Sequence, residues 1–576
     1  MKKKITYSTI LFSILMVLFF LPMFQEHCKV FRFKSLVGES VKEKTKFPKF
    51  SINDYRSGLW QKTLESYTSE NYGFREPMIR LYSQYLFDFY QKTPVDFVSF
   101  GKGKWMFYKH TVDDYYGKEM FRWQKDNETA VTAFNNEINL VNKFRNLLKQ
   151  YDIEFLWIIV PDKPIIYSEY LPDDTFDTTS INGRKYFTEK FDSIKLDYID
   201  MNPYYLQIKD TSSFLLFPPT GHHWNFSAIY GADSILRYME QQKNIRLPQI
   251  IYSNFHKSCK FSEERDRDIE NALNLVRDVN LKGIYTSQEA DVTFLRDSSV
   301  SKPNALFVGN SFVWQILDYV PSREIFEDFT FLYYNREAYI GHDKKQRPIS
   351  EIDYAEKVLC SDYVVWLSNA AQIYKCSYNF IEDALISLCV SQDRQKQRRK
   401  EISDSLRRDT VFCNNNKKQF EYKLKKKTDE LLRNVAVAFP ELLKDSVLQV
   451  VNPNLDRYLT LRKINRDIEW KTAIFCQTSH LGKSYDELLQ EEITNVLLQK
   501  PLLRDNKEFV TRDNFLNIHR EQIMKDMQSD PKQMKSIKEK AKKYDKTMEQ
   551  AIYDDADWIL DNKIKQKNII IPEFLE

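Results

Sequence analysis

Residues 304–314, Asn-Ala-Leu-Phe-Val-Gly-Asn-Ser-Phe-Val-Trp, decide how the rest of the chain is read. Ala305, Leu306, Phe307 and Val308 form a short apolar run of the kind found in strands buried on both faces. The run stops at Gly309, Asn310 and Ser311, and Phe312, Val313, Trp314, Ile316 and Leu317 resume with helical character. A strand, a tight turn at a glycine, a serine and a helix start are what nucleophilic acyl chemistry requires. The turn lifts the hydroxyl off the sheet, and the first helical N–H groups can hold a developing oxyanion. The same residues also describe an ordinary strand-to-helix turn in which Ser311 is only an N-cap.

A second stretch, residues 218–225 (Pro-Pro-Thr-Gly-His-His-Trp-Asn), supplies a base. The His223 imidazole can take the hydroxyl proton near neutral pH, which a lone serine cannot lose. Gly221 suggests a backbone that approaches something closely, and Trp224 a ring that packs the site. A capping or core histidine is the plain alternative. A metal held by His222 and His223 is a third reading, but adjacent residues point apart and no acid–histidine cluster completes a ligand set. Neither a metal nor an organic cofactor is expected.

Around these two stretches the chain alternates strands and helices. Residues 155–160 (Phe-Leu-Trp-Ile-Ile-Val) and 362–367 (Asp-Tyr-Val-Val-Trp-Leu) are apolar throughout, as strands inside a helix-covered parallel sheet are. Further strands are expected up to Asp200 and over 329–333, and a hairpin over 97–107. Helices are expected over 55–92 with a break at 71–75, over 135–151, from Tyr186 and over 225–238. The pattern between residues 150 and 370 is an α/β sheet. Ligands bind beyond the carboxyl ends of such strands, where Lys163, Ser311 and the loop after Leu367 would lie.

Of the 576 residues, the first four are Met-Lys-Lys-Lys, and residues 5–24 carry no charge. That run is long enough to cross a hydrocarbon core. No small-residue cleavage site follows it, so an uncleaved signal anchor is expected, with the body outside the cytoplasm. A net charge of only +4 argues against nucleic acid as the main partner. The seven cysteines form no C-x-x-C and no even-numbered framework, so neither structural zinc nor a simple disulfide scaffold is indicated. Beyond about residue 378 charged and amide residues dominate and helical periodicity takes over. A weak repeat runs through this tail at one constant offset, pairing Asp467 with Asp530, Ser484 with Thr547 and Leu497 with Leu560. Each unit reads as two helices, the second capped by Ser484 or Thr547.

Five short motifs, in order, carry a resemblance. They are residues 72–75 (Tyr-Gly-Phe-Arg), 101–107 (Gly-Lys-Gly-Lys-Trp-Met-Phe), 160–167 (Val-Pro-Asp-Lys-Pro-Ile-Ile-Tyr), 220–224 (Thr-Gly-His-His-Trp) and 309–312 (Gly-Asn-Ser-Phe). Together they resemble the alginate O-acetyltransferase-like branch of the SGNH hydrolase family, in a divergent subgroup. The resemblance covers about residues 50–375. It implies acetyl transfer to, or removal from, an envelope or exported polysaccharide, through an acyl-enzyme on Ser311 with His223 as base. A membrane acyltransferase would supply the acetyl group. Asn310, Asn335, Lys163 and Trp224 are expected around the oxyanion and substrate. Two positions depart from the family pattern. Gly221 stands where an aspartate commonly orients the histidine, and Asn310 stands where aspartate precedes the serine. Asp162 is a candidate replacement acid, or a turn residue.

The expected layout is a transmembrane anchor (1–24), a tether (25–50), an SGNH-like α/β domain (51–377) and an all-α region (378–576) with repeat units near 463–500 and 526–563. The protein is expected as a single-pass protein of the cytoplasmic (inner) membrane. The rival reading keeps the fold but not the chemistry: an inactive glycan-binding or scaffold protein. An acid on the His223 ring opposite Ser311 would favour catalysis. A generic anchored protein without acyl chemistry is the third reading.

Overall fold

The computed structural model describes residues 7–37, 45–120, 128–173, 182–258, 266–284, 286–295, 300–375, 378–389, 392–416, 419–438, 455–566 and 569–575. The basic start of the chain (1–4), the first two residues of the expected span (5–6), part of the tether (38–44), Cys259 and Cys376 lie outside the described residues.

Eleven strands are described: β1 (Val98–Phe100), β2 (Met106–Tyr108), β3 (Glu154–Val160), β4 (Tyr198–Asp200), β5 (Gln249–Ser258), β6 (Thr286–Leu295), β7 (Ala305–Gly309), β8 (Phe329–Tyr333), β9 (Glu337–Ile340), β10 (Lys345–Pro348) and β11 (Tyr363–Asn369). Seven form one sheet in the order β10-β9-β8-β7-β11-β3-β4. β8, β7, β11, β3 and β4 run parallel, and β9 and β10 extend one edge in antiparallel sense. The strands beneath the site are buried on both faces because helices cover both. Leu156, Ile158 and Val160 face the helix Ala228–Lys243. Phe155, Trp157 and Ile159 face Glu128–Gln150, Gly183–Ser193 and Phe380–Cys389. Trp157 and Trp366 are register partners with ring centroids 4.0 Å apart.

The sequence reading does not contain the antiparallel ribbon of β5 and β6. Between its strands, residues 266–284 cross to the hairpin β1–β2. There Ile269, Leu273, Val279 and Leu281 share a small core with Val98 and Met106.

Parallel strands sort what lies at their two ends. Asp162 and Lys163 follow β3, Ser311 follows β7, Asn335 follows β8, and Asn369 to Ala371 close β11. Two helices of the C-terminal region, Leu455–Arg466 and Ile468–Leu481, meet the other end. Arg462 donates to the carbonyls of Tyr151 and Asp152 ahead of β3, Arg466 pairs with Asp362 ahead of β11, and Lys471 pairs with Glu327 ahead of β8 at 2.8 Å. In that region Asp467, Ser484, Asp530 and Thr547 each cap a helix with a side-chain oxygen. The two helix pairs bury separate small cores, one around Trp470 and Ile474 and the other around Ile537 and Ile552.

Asp162 is a buried bracket at the carboxyl edge. Its backbone N–H donates to Asn202 Oδ1 (2.9 Å), and its Oδ2 accepts from Asn369 Nδ2 and from Ala371 N, each at 3.2 Å. Its Oδ1 has no partner among the described residues. Burial first, and Asp114 second, push its pKa up to about 7.

Two predictions follow from this packing. Trp366→Ala leaves a cavity against Trp157 at the sheet centre, costing about 3–5 kcal/mol of stability in denaturant unfolding. For Asp162 the folded pKa lies above the unfolded value of about 3.9. The folded state therefore holds a proton that the unfolded state releases, and stability declines as pH rises from about 4 to about 7. Asp162→Asn removes that decline, so its melting temperature should rise relative to wild type between pH 5 and pH 7.5.

Candidate active site

Ser311 sits where β7 ends and the helix Phe312–Tyr319 begins, in right-handed helical backbone (φ −61°, ψ −18°). The turn requires Gly309, because a Cβ there would stand 2.7 Å from the Leu367 carbonyl oxygen on the neighbouring strand. Asn310 is buried and braces the turn from below. Its Nδ2 donates to Asn369 Oδ1 (3.0 Å) and Gln372 Oε1 (3.3 Å), and its Oδ1 accepts from Phe312 N. The amide is thus turned into the protein, away from a reacting carbonyl. Among the described residues none accepts from the Ser311 N–H, which leaves that donor available at the head of the helix.

Ser311 Oγ lies 2.6 Å from His223 Nε2, and His223 Nδ1 lies 2.9 Å from Asp268 Oδ2. With Nδ1–H donated to the carboxylate, Nε2 is the acceptor for the serine hydroxyl. Asp268 opens the short helix Asp268–Ala272, and its Oδ1 also accepts from His222 N (2.7 Å) and Ile269 N (3.0 Å). One carboxylate therefore fixes both the ring and the backbone that carries it. Gly221 makes this possible: a Cβ there would fall 2.7 Å from the Asp266 carbonyl oxygen. Around that contact Glu270 N donates to Thr220 O (3.2 Å) and Thr220 Oγ1 to Asp266 O (3.4 Å).

The acid beside His223 is thus Asp268. Asp162, weighed from sequence for that place, spends its carboxylate on the end of β11 instead. Lys163 is also inside the protein. Its Nζ donates to the carbonyls of Met106 (2.7 Å), Pro219 (2.8 Å) and Gly221 (2.6 Å), drawing the hairpin and the histidine loop together. Burial holds its pKa well below the usual lysine range. Trp224 is buried between Gly231, Tyr205 and Phe312, as the floor of the site. Asn335 is committed elsewhere: its Nδ2 donates to Asp383 Oδ2 and Tyr378 O, and its Oδ1 accepts from the Tyr354 hydroxyl.

His222 packs against Tyr108 (ring centroids 4.4 Å) and Phe312 (5.4 Å). Burial, with His223, His110 and Lys163 adding to it, holds its pKa well below the ordinary value, so it packs as a neutral ring. Tyr108 is a second residue that the sequence reading misses; burial and then Asp268 raise its phenol pKa. Among the described residues no His, Cys, Asp and Glu side chains cluster as a metal site.

Comparisons with known proteins bear on the same residues. No curated protein matches the sequence. Among solved structures, the O-acetyltransferase domain of Pseudomonas putida AlgJ is 15% identical, over 48% of this chain and 92% of that one, with a TM-score of 0.34. AlgX of Pseudomonas aeruginosa is 13% identical over 49% of this chain and 65% of that one (TM-score 0.32). PatB1 of Bacillus cereus is 14% identical over 43% and 93% (TM-score 0.27). Residues 98–320 match the family model described as an SGNH hydrolase-like domain, acetyltransferase AlgX. That match covers less than half of the chain and spans Lys163, both histidines, Asp268 and Ser311.

Proposed function

We propose that the protein is a membrane-anchored O-acetyltransferase that acts on an envelope or exported polysaccharide outside the cytoplasm. The observation that carries the reading is the line Asp268–His223–Ser311, held in a domain that matches the AlgX acetyltransferase family model. Ser311 Oγ attacks the acetyl carbonyl carbon while its proton passes to His223 Nε2. The tetrahedral oxyanion is held by the Ser311 N–H at the start of the helix. His223 then gives the proton to the leaving oxygen, and acetyl-Ser311 remains. A sugar hydroxyl enters, loses its proton to His223 and attacks the ester, and the serine oxygen leaves with that proton. Asp268 orients the ring and stabilises the imidazolium. Water in place of the sugar would make the same site an esterase.

The helix Tyr7–Cys28 supports the anchor. Within it residues 10–28 have a mean hydropathy of 1.7 and are mostly exposed. The acetyl donor is then a membrane acyltransferase at the same surface, and the division at residues 24, 50 and 377 separates anchor, tether, acyl-transfer domain and helical region. An inactive scaffold has no need for an acid aligned behind His223.

The test is acetyl release from p-nitrophenyl acetate by the full chain. Ser311→Ala and His223→Ala should abolish turnover with folding intact, and Asp268→Asn should lower kcat by about 10⁴ by leaving the wrong tautomer facing the serine. Equal slow release by all four proteins would reduce Ser311 to a helix cap. Gly221→Asp, which restores the common family residue, should lower activity rather than raise it. The new side chain meets the Asp266 carbonyl and displaces the segment that carries Asp268.

A further inference from the structure

The helix Arg75–Tyr90 is built inside out. Met78, Leu81, Tyr82, Tyr85 and Phe89 are between 49% and 74% exposed. At about 100° per residue they fall in one stripe roughly 100° wide. The opposite face is the one that packs, and it is largely polar. Ser83 and Gln84 are buried. Gln84 Oε1 accepts from Val276 N (3.1 Å) and Arg277 N (2.9 Å), Arg80 donates to the carbonyls of Ser35 (2.9 Å) and Leu275 (3.3 Å), and Asp88 pairs with Arg277 (2.7 Å). These bonds fix the helix so that its apolar side faces outward, which water alone does not favour.

The start of this helix touches the end of the first one. A Cβ on Gly73 would stand 2.3 Å from the Pro22 carbonyl oxygen and 2.6 Å from Glu26 N. Phe74 packs against Phe31 and Phe33, which follow the span. The apolar stripe therefore begins where the proposed span leaves the bilayer. Exposed Lys29, Arg32 and Lys34 lie at the same junction, placed to meet lipid phosphates. Tyrosine and phenylalanine are the side chains suited to that interface, with an apolar body and, in tyrosine, a polar tip.

We infer that the helix Arg75–Tyr90 lies on the outer surface of the membrane, its stripe of Met78, Leu81, Tyr82, Tyr85 and Phe89 seated among the lipids. The inference rests on the anchor reading of Tyr7–Cys28. It makes the protein a body held against the bilayer by two elements rather than one tethered loosely by a single span. The occupant is lipid rather than a protein because the stripe continues directly from the span and its cationic flank.

The wild-type full chain is reconstituted in phosphatidylethanolamine and phosphatidylglycerol vesicles that contain a phospholipid with a diazirine in its acyl chain. Adducts formed on illumination are located by mass spectrometry. Adducts on the span and also on Leu81, Tyr82, Tyr85 or Phe89 are expected. A variant with Leu81→Glu, Tyr85→Glu and Phe89→Glu should lose the helix adducts and keep those of the span. Adducts on the span alone in the wild type would overturn the inference and leave the anchor standing, with the stripe facing a protein. Adducts on neither element would overturn both.

Discussion

The Asp268 carboxylate touches the histidine loop at two points, the ring of His223 and the backbone N–H of His222, and most of the site's geometry follows from that double contact. A carboxylate on the ring alone would set the tautomer but leave the loop free to swing. By also binding the loop's backbone, Asp268 makes the distance from Nε2 to Ser311 a property of the fold. The surroundings are arranged to let it approach. Gly221 removes the side chain that would collide with Asp266, and Lys163 pulls the Pro219 and Gly221 carbonyls inward. One buried amino group reaches three carbonyls, so Lys163 acts as a bracket for the loop.

The segment that carries Asp268 is itself held from outside the sheet. Its apolar side chains rest on the hairpin β1–β2, and Gln84 of the helix Arg75–Tyr90 accepts from two of its N–H groups. Asn274, in the same segment, pairs with both backbone groups of Val37, a few residues past the apolar N-terminal helix. The acid is thus supported by the elements nearest the first helix, and the serine by the sheet. The two halves of the hydrogen-bonded line meet at His223.

Much of this is legible in the sequence, for identifiable reasons. Strands β3, β7 and β11 are buried on both faces, so their residues read as continuous apolar runs that need no context. Ser311 and His223 stand out because a strand–glycine–serine–helix turn and a His-His-Trp loop are locally unusual. Asp268 is silent by the same logic. It lies 45 residues from His223, in a charged stretch with nothing local to mark it, and only the three-dimensional excursion between β5 and β6 brings it to the site. The one available signal is negative: Gly221 lacks the acid that a histidine base needs, so another part of the chain has to provide it. Asp162 is the nearest candidate along the motif, yet its position at the end of β3 turns it toward β11, where Asn369 and Ala371 claim its oxygens. Asn335 misleads in a similar way, since a turn after β8 is near the site in order but its amide faces Asp383 and Tyr354.

The parallel sheet also explains where the helices Leu455–Arg466 and Ile468–Leu481 attach. In a parallel sheet every strand presents its carboxyl end to one edge and its amino end to the other. Ser311, Asp162 and Asn369 necessarily share the first edge, and residues 151–152, 327 and 362 share the second. The contacts of Arg462, Arg466 and Lys471 all fall on that second edge. Charged side chains reaching backbone and carboxylate oxygens fix the helices Leu455–Arg466 and Ile468–Leu481 there, while the edge with Ser311 is bordered by the histidine loop, the hairpin and residues 266–284, with Tyr378 and Asp383 bonded to Asn335 beside it. The direction of the strands therefore separates these three contacts from the edge that carries Ser311.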